Sequence, residues 1–475
     1  MNSATESDWM GELRVALGAE ALLVDRSDLA AMEEGWRYGH GRALAAVRPS
    51  TSAEVQEALR IAQRHHLRVQ PIGANTGLVG ASNPDATGEQ LVLSLERLNR
   101  GIQIDPIDRV VVADAGVTLS QLNAELAPHG LMFPVDLGAD PQLGGMVVTN
   151  TGGTRLVRYG DVRSNLLGIE VVLADGTLID GIRALRKDNT GLDWKHLFCG
   201  TSGTFGVVTK VALQVVPLPM QRTAMLAAMS SGEAVLALLG TLERRLGETL
   251  SAFEVLSKDA LEVTLEHGAN LRNPFADTQV PSFAVLVELS TTMDKELLDL
   301  DGALAQVLEE LVESEEADGL EDALVGQAED FWAIRHQVSE SLRAVGEVLA
   351  LDLAVPRSRL AEFSATVRRE IHAKYPFVRC CNFGHWGDGG LHLNLVWRDK
   401  DAGVEDSKAL RHAIQDQVYR LCVEGFGGSY SAEHGIGPHN QAHYQSFTHP
   451  LVRGMVGALK ANLDPGMRLG AVDLT

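Results

Sequence analysis

Two histidines flank a glycine-rich turn in the segment GHWGDGGLHLN, where they are His385 and His392. Further along the chain, the segment SAEHGIG contains Glu433 followed by His434. Within the turn, the side chain of Asp388 can accept hydrogen bonds from backbone N–H groups and so brace the turn. Two imidazoles and a carboxylate suit Zn²⁺, Mn²⁺ or Fe²⁺ and leave coordination positions open. These residue types therefore indicate a candidate metal site.

Chance is the alternative explanation, because the chain contains 15 histidines. A single histidine usually packs in a core or faces solvent, and the pairs at 65–66 and 439–443 are assigned to that group. The two-residue period of a strand places His392 and Asn394 on one face. From the residue types alone, both a metal site and a chance arrangement stay open.

A second candidate site is the glycine-rich loop GANTGLVGAS, which follows a predicted strand. Glycines allow positive φ and let the backbone approach a ligand closely, and successive N–H groups can form an anion-binding nest. The loop matches neither G-x-G-x-x-G nor the Walker motif, which argues against a nicotinamide or nucleoside triphosphate site. Two more glycine-rich segments, at 143–160 and 199–208, suggest one long ligand that lies across several loops.

The elements that must position these residues follow from the periodicity of the apolar residues. The first half of the chain reads as strands, helices and a hairpin at 166–180 that turns at Asp175–Gly176. After the prolines at 217 and 219, strands and helices alternate as in an α+β domain with one open sheet. Predicted helices cover 51–65, 119–130, 232–246, 295–317 and 356–375, and predicted strands cover 67–72, 91–95, 109–116, 206–217, 225–229, 251–256, 283–289, 348–355, 377–383 and 391–397.

Composition limits the classes of partner. A chain of 475 residues is long enough for two or three domains. Its net charge of −22 argues against nucleic acid and anionic membranes as partners. No apolar run is long enough to span a bilayer, and the first residues do not resemble a signal peptide. The four cysteines form no disulfide pattern, so we expect buried, reduced thiols and a cytoplasmic protein.

An ordered series of segments connects the glycine-rich loops: PIGANTGLVGAS, DLGADPQLGGMVVTNTGG, RYGDV, VVLADGT and LRKDNTGLDWKHLFCGTSGTFGVVTK. This series resembles the FAD domain of the vanillyl-alcohol oxidase superfamily, in the branch of the D-lactate and D-2-hydroxyglutarate dehydrogenases. The resemblance covers about 44–464. It implies an α+β fold with a two-subdomain FAD-binding domain at 43–219, a substrate (cap) domain at 220–425 and a helical C-terminal segment at 426–475. The residues before it, 1–42, are predicted from their own sequence to form a helical segment.

The resemblance also implies which residues contact FAD. Ala74, Met146 and Ser202 depart from the family pattern of Gly, Asn and Glu, and Ala74 is tolerable only at negative φ. No histidine lies within the pyrophosphate loop, so we expect FAD to be bound non-covalently. The implied contacts are Gly73, Ala74, Asn75, Thr76, Gly77 and Leu78 at the pyrophosphate, Ser82, Asp136, Gly138, Gly145, Thr149 and Gly153 at the ribityl chain, flavin or adenosine, and Val207 and Val208 at the adenine.

For the reaction, the resemblance implies oxidation of a D-2-hydroxy acid to the 2-oxo acid, with hydride transfer to the flavin. The metal, zinc or else manganese or iron, would be held by His385, His392 and Glu433. His434 would be the general base and contact the substrate together with Asn394. In FWAIRHQVSESL, the guanidinium of Arg335 would bind the substrate carboxylate, with Ser339 one helical turn later on the same face.

Three departures bear on the substrate. Ala350 replaces a Lys typical of the 2-hydroxyglutarate enzymes, Gly390 replaces Asn, and Asn440 replaces a frequent Lys. D-lactate or a bulkier 2-hydroxy acid is therefore as compatible as D-2-hydroxyglutarate. Two alternatives remain, a flavin-free metal hydrolase and a flavin-binding but inactive partner subunit. The electron acceptor, whether a quinone, an electron-transfer flavoprotein or a cytochrome, stays open, as does a homodimer.

Overall fold

The computed structural model describes residues 3–275, 279–313, 318–398 and 407–475. The chain divides into two compact units. Unit 1 contains 1–152, 160–218 and 433–475, and unit 2 contains 153–159 and 219–432. The four segments expected from the sequence stay a prediction of domain organisation.

Unit 1 contains two larger sheets and one short one. The strand order is β1-β2-β4-β3 in the first sheet, with β2, β4 and β3 parallel, and β5-β6-β10-β8-β9 in the second, which is antiparallel. Strands β7 and β11 form the short pair. The bounds are β1 Leu22–Leu23, β2 Ala43–Val47, β3 Arg68–Ile72, β4 Gln90–Ser94, β5 Ile102–Asp105, β6 Val110–Asp114, β7 Leu131–Met132, β8 Leu166–Val172, β9 Leu178–Gly181, β10 Val207–Gln214 and β11 Val216–Pro217.

Unit 2 is built on one antiparallel sheet of seven strands, in the order β15-β12-β14-β13-β17-β18-β16. This confirms the open sheet expected for the second half of the chain. The bounds are β12 Gln221–Met229, β13 Leu250–Ser257, β14 Phe283–Thr291, β15 Leu320–Gly326, β16 Glu347–Ala354, β17 Arg379–Gly384 and β18 Gly390–Trp397.

Fifteen helices are found in the described residues, of which α6 and α8–α13 belong to unit 2. The bounds are α1 Ser3–Leu17, α2 Arg26–Glu33, α3 Ser52–Arg64, α4 Leu119–Leu126, α5 Leu143–Thr149, α6 Leu156–Tyr159, α7 Val162–Asn165, α8 Gly232–Leu246, α9 Lys258–His267, α10 Leu300–Glu313, α11 Ala328–Val345, α12 Leu360–Lys374, α13 Ser407–Arg420, α14 Gln441–Phe447 and α15 Pro450–Leu463.

Local sequence signals explain the elements of unit 1 that were predicted. Helix α3 begins after Thr51, whose hydroxyl accepts a hydrogen bond from the N–H of Glu54, while the Glu54 carboxylate accepts one from the N–H of Ser50. Gly130 has a φ of 66° where the turn after α4 ends. The predicted hairpin is the β8–β9 pair, and Gly176 in its turn has a φ of 81°.

Part of one predicted helix was wrong. The helix expected over 295–317 begins only at Leu300, because Asp294 starts a turn in which its carboxylate accepts a hydrogen bond from the N–H of Leu297. The sequence contains a run rich in acidic residues over 309–321, and residues 314–317 of that run lie outside the described residues. The end of that run belongs to strand β15, which was not predicted.

The four cysteines are buried and unpaired, as expected for packing residues. Desolvation raises the pKa of the Cys380 and Cys381 thiols to about 12, so neither is a reactive thiolate at neutral pH. Among the described helices, none is both long and apolar enough to cross a bilayer.

Candidate active site

Three strands of unit 2 each place one buried carboxylate among mostly apolar residues. These are Glu254 in β13, Glu288 in β14 and Asp352 in β16, with exposed fractions of 0%, 2% and 6%. A buried carboxylate is costly unless it is paired or hydrogen-bonded. The side chains that pair with these three carboxylates therefore identify the buried polar clusters of unit 2.

Glu254 joins two of the predicted site residues. One carboxylate oxygen, Oε2, accepts a hydrogen bond from Nε of Arg335 at 2.5 Å, and Oε1 lies 2.5 Å from Nδ1 of His385. Desolvation alone would raise the pKa of Glu254, but the charges and hydrogen bonds of His385 and Arg335 outweigh it and lower the pKa to about 2. Glu254 is therefore an ionised acceptor between two donors.

The two predicted metal-binding histidines of unit 2 meet through their rings. Nε2 of His385 lies 3.1 Å from Nε2 of His392, and Nδ1 of His392 lies 3.7 Å from Oδ1 of Asp352. The turn between them is braced as predicted, because the Asp388 carboxylate accepts a hydrogen bond from the N–H of Gly390. The two Nε2 atoms thus converge, while each Nδ1 atom faces a carboxylate. This arrangement is found around metal-binding histidines.

Arg335 is only 9% exposed, so it is not a surface charge of α11. Its guanidinium stacks over the Phe383 ring, with the carbon 4.7 Å from the ring centroid. Within the described part of the chain, Glu254 binds Nε, and the two terminal nitrogens have no hydrogen-bond partner. This leaves the two-pronged end of the guanidinium for an anion such as a carboxylate.

Two further predicted substrate contacts lie on elements next to this cluster. Asn394 is buried in β18, pairs in register with Ala350 of β16, and donates a hydrogen bond from its side chain to the carbonyl of His392 at 3.3 Å. Ser339 is half-buried on α11, one turn after Arg335. The structure thus places Asn394 beside the histidine pair, and Ser339 on the helix that carries Arg335.

Glu433 and His434 are half-buried and belong to unit 1. They follow Ala432, the last residue of unit 2, whose N–H donates to the carbonyl of Asp352 at 3.3 Å. Within unit 1, Asn440 shapes the turn after them, since its side chain accepts from the N–H of Gly437 and donates to the carbonyl of Gly435, both at 2.9 Å. Asn440, which stands where the family frequently has Lys, therefore has a structural role in this turn.

Unit 1 contains the predicted FAD residues, and several of its glycines leave open space. A Cβ atom added at Gly77, Gly138 or Gly145 would meet nothing within 4 Å among the described residues, and none of these glycines has a positive φ. Neither conformation nor packing therefore requires glycine there, whereas close approach of a ligand would. Nearby, a Cβ at Gly73 would contact Oε1 of Gln142, a buried atom with no partner in the described chain. These features fit a bound dinucleotide.

The side chain of Asn75 is committed to the protein itself. Its amide nitrogen donates to the carbonyl of Glu34 at 2.7 Å, and its oxygen accepts a hydrogen bond from Ser82 at 2.8 Å. Only the backbone of Asn75, with a φ of 55°, stays available to the pyrophosphate. Ala74 is not among the residues with positive φ, which meets the condition set by its methyl group.

The remaining predicted FAD residues are distributed over both units. Val207 and Val208 are buried at the start of β10, and the Thr149 hydroxyl donates to the carbonyl of Gly145 at 2.8 Å. Gly153 has a φ of 109° and belongs to unit 2. Thr76 and Leu78 are half-buried in the loop, as is Asp136 further along the chain.

Two family models match this chain. The FAD binding domain matches residues 43–181, and the C-terminal domain of the FAD linked oxidases matches residues 218–471. The chain belongs to the FAD-linked oxidases. It is 32% identical to a mitochondrial D-2-hydroxyglutarate dehydrogenase of Arabidopsis thaliana, over 98% of this chain and 80% of that protein. It is 35% identical to a putative mitochondrial D-lactate dehydrogenase of Schizosaccharomyces pombe, over 87% of this chain and 78% of that protein.

This FAD-linked oxidase also shares its fold with a solved structure of p-cresol methylhydroxylase with substrate bound. The TM-score is 0.72, the identity is 17%, and the match covers 98% of this chain and 96% of the other. The resemblance to the vanillyl-alcohol oxidase superfamily and the α+β fold are thus confirmed. The protein is an FAD-dependent oxidoreductase, and the alternative of a flavin-free hydrolase was wrong.

Sequence reasoning missed Glu254 and Asp352 as residues of the site, and it missed Glu288 as a third buried carboxylate of the same sheet. A signal was present, because each is a lone acidic residue in an apolar strand: SAFEVLS, LALDLA and FAVLVELS. Charged residues are almost never fully buried without a partner. A lone carboxylate in a buried strand of this FAD-linked oxidase therefore predicts a buried cation or imidazole opposite it.

Proposed function

We propose that this protein oxidises a D-2-hydroxy acid to the corresponding 2-oxo acid. The observation that carries the proposal is the cluster in unit 2, where a buried arginine and one histidine of a converging pair share one carboxylate. The terminal nitrogens of this arginine have no hydrogen-bond partner among the described residues. An anion-binding fork beside a candidate metal site suits a substrate that has a carboxylate next to a hydroxyl. Relatives named for D-2-hydroxyglutarate and D-lactate support the same class.

Each residue has one task in this proposal. Arg335 binds the substrate carboxylate through its terminal nitrogens, and Asn394 contacts the substrate beside it. His385 and His392 hold a divalent metal, proposed to be zinc, with Glu433 as the third ligand. When bound, the metal would polarise the hydroxyl and FAD would accept the hydride. His434 takes the hydroxyl proton, since imidazole can accept a proton at neutral pH.

The relatives make D-2-hydroxyglutarate the first candidate substrate. Ala350 favours a second one, D-lactate or another monocarboxylate. It is half-buried directly opposite Asn394, and its methyl group offers no charge to a second carboxylate. A buried or half-buried carboxylate without a cation is costly. The proposal is therefore a D-2-hydroxy-acid dehydrogenase, in which the residues around position 350 decide which side chain of the acid is accepted.

Anaerobic mixing with a panel of 2-hydroxy acids tests the proposal. The purified protein should show flavin absorption, and that absorption should bleach with the D enantiomer of one panel member and not with its L enantiomer. Exhaustive chelation should abolish bleaching, and added Zn²⁺ should restore it. Flavin that no member of the panel reduces would instead support an inactive partner subunit, and bleaching that survives chelation would overturn the metal.

We propose that the electron acceptor is one that reoxidises flavins without nicotinamide: a quinone, an electron-transfer flavoprotein or a cytochrome. The reduced protein should be reoxidised rapidly by only one of these when each is added separately.

A further inference from the structure

One buried side chain links the candidate metal ligand to the candidate substrate anchor. We propose that Glu254 is a positioning residue that sets the ring of His385 for metal binding and, with its other oxygen, orients the guanidinium of Arg335. The proposal rests on the metal and carboxylate sites of the proposed function. It adds a residue that touches neither metal nor substrate and still controls the binding of both.

Glu254 positions the ring of His385 through its Oε1 atom. Nδ1 of His385 lies 2.5 Å from Oε1 of Glu254, and this contact is a hydrogen bond when Nδ1 is the donor and the carboxylate oxygen the acceptor. The lone pair of Nε2 is then directed toward Nε2 of His392, 3.1 Å away. Outer carboxylates of this kind fix both the tautomer and the orientation of metal-binding histidines.

The other oxygen of Glu254 positions Arg335. Its Nε donates to Oε2 of Glu254 at 2.5 Å, and the Phe383 ring covers one face of the guanidinium. Together these contacts hold a long, otherwise flexible side chain in one orientation. That orientation leaves the two terminal nitrogens for the substrate carboxylate. Loss of Glu254 would free the guanidinium as well as the imidazole.

Glu288 shows that burial alone does not produce this role. It is 2% exposed on the neighbouring strand β14, and its carboxylate accepts hydrogen bonds from Nε1 of Trp332 at 3.0 Å and from the Ser251 hydroxyl at 2.8 Å. Arg155 lies 3.5 Å from the same carboxylate. Glu288 thus has its own partners, which include neither His385 nor Arg335, and it provides a matched control for Glu254.

The test compares FAD-loaded wild type with Glu254→Gln and Glu288→Gln. Zn²⁺ affinity is measured by competition with a chromophoric chelator, and pyruvate affinity by the change in flavin absorption. A glutamine at 254 can still accept from Nδ1 of His385 but then turns an N–H toward Nε of Arg335. We expect E254Q to bind Zn²⁺ about 10- to 100-fold more weakly, the usual effect of losing such an outer carboxylate. We expect it to bind pyruvate more weakly as well, and E288Q to match the wild type in both.

A second variant separates the two roles of Glu254 and guards against misfolding. Arg335→Met leaves Glu254 on His385, so it should keep the Zn²⁺ affinity of the wild type and lose only pyruvate binding. If E254Q does not retain FAD, Glu254→Asp replaces it, because the shorter side chain cannot reach both partners. Equal Zn²⁺ affinity in wild type and the Glu254 variant would overturn the role of Glu254 alone. A wild type that binds no Zn²⁺ would overturn the metal site and this proposal together.

Discussion

Arg335→Lys is the substitution that tests the substrate anchor most directly. Lysine keeps the positive charge at 335 but has one ammonium in place of a planar fork with five donors. In the wild type, Nε is bound to Glu254 and only the terminal nitrogens can bind a carboxylate. The ammonium of a lysine can approach Glu254 or the substrate, but it cannot reproduce both interactions.

The size of the effect follows from the hydrogen bonds to the substrate that an ammonium cannot make. Removing one charge-assisted hydrogen bond to the carboxylate costs about 1.5–3 kcal/mol, which lowers kcat/KM about 10- to 150-fold. The carboxylate does not change during the reaction, so most of the effect should appear in KM. Steady-state kinetics with a dye acceptor and the 2-hydroxy acid that bleaches the wild-type flavin measure both constants.

A matched control is Arg343→Lys, an exposed position on the same helix, which should leave both kinetic constants unchanged. The flavin spectrum of each variant reports whether FAD is retained. If Arg335→Lys retains FAD and has the KM of the wild type, Arg335 does not bind the substrate carboxylate, and its proposed role as substrate anchor is refuted.

Three further outcomes follow from the structure. Gly77→Val should unfold at the temperature of the wild-type apoprotein yet retain little FAD on gel filtration, because a Cβ at position 77 meets no described residue within 4 Å and would lie where the cofactor is proposed to bind. Lys460→Met removes a buried ammonium that lies 2.7 Å from Asp464 and leaves that carboxylate buried without its cation, so the free energy of unfolding should fall by about 3 kcal/mol. Denaturant titrations measure it, and equal midpoints and slopes for the variant and the wild type would contradict the expectation. The metal-free protein should lose stability as pH falls from about 4.5 toward 2, because burial raises the pKa of Glu254 but His385 and Arg335 lower it to about 2. The difference in thermal midpoint between wild type and Glu254→Gln should therefore shrink over that interval.

Elements with strong local signals could be predicted from the sequence. Thr51 and Glu54 both take part in the cap at the start of α3, and Gly176 takes the positive φ that the β8–β9 turn requires. The start of α10 was misplaced by five residues, since a leucine-rich segment has helical periodicity whether or not an aspartate turns the chain before it. The periodicity of apolar residues does not show whether such a turn replaces the first turn of the helix.

The predicted roles in FAD binding show a second limit of prediction from the sequence. The order of the glycine-rich segments is a property of the sequence, and the family match confirms the cofactor. That order does not tell whether a polar side chain in a loop faces a ligand or the protein. For Asn75 the answer is the protein, since its side chain holds the carbonyl of Glu34 and the hydroxyl of Ser82.

The sequence by itself determined the family, the cofactor and the candidate ligands His385 and His392, because these depend on residue types in short segments. Only the tertiary structure decided that Glu254 lies between His385 and Arg335. Glu254 is 81 residues from Arg335 and 131 residues from His385, and they meet because β13 lies beside β17 in the sheet and α11 packs near them. Strand order is set by non-local packing, so the periodicity of one segment contains no information about which buried carboxylate will meet which imidazole.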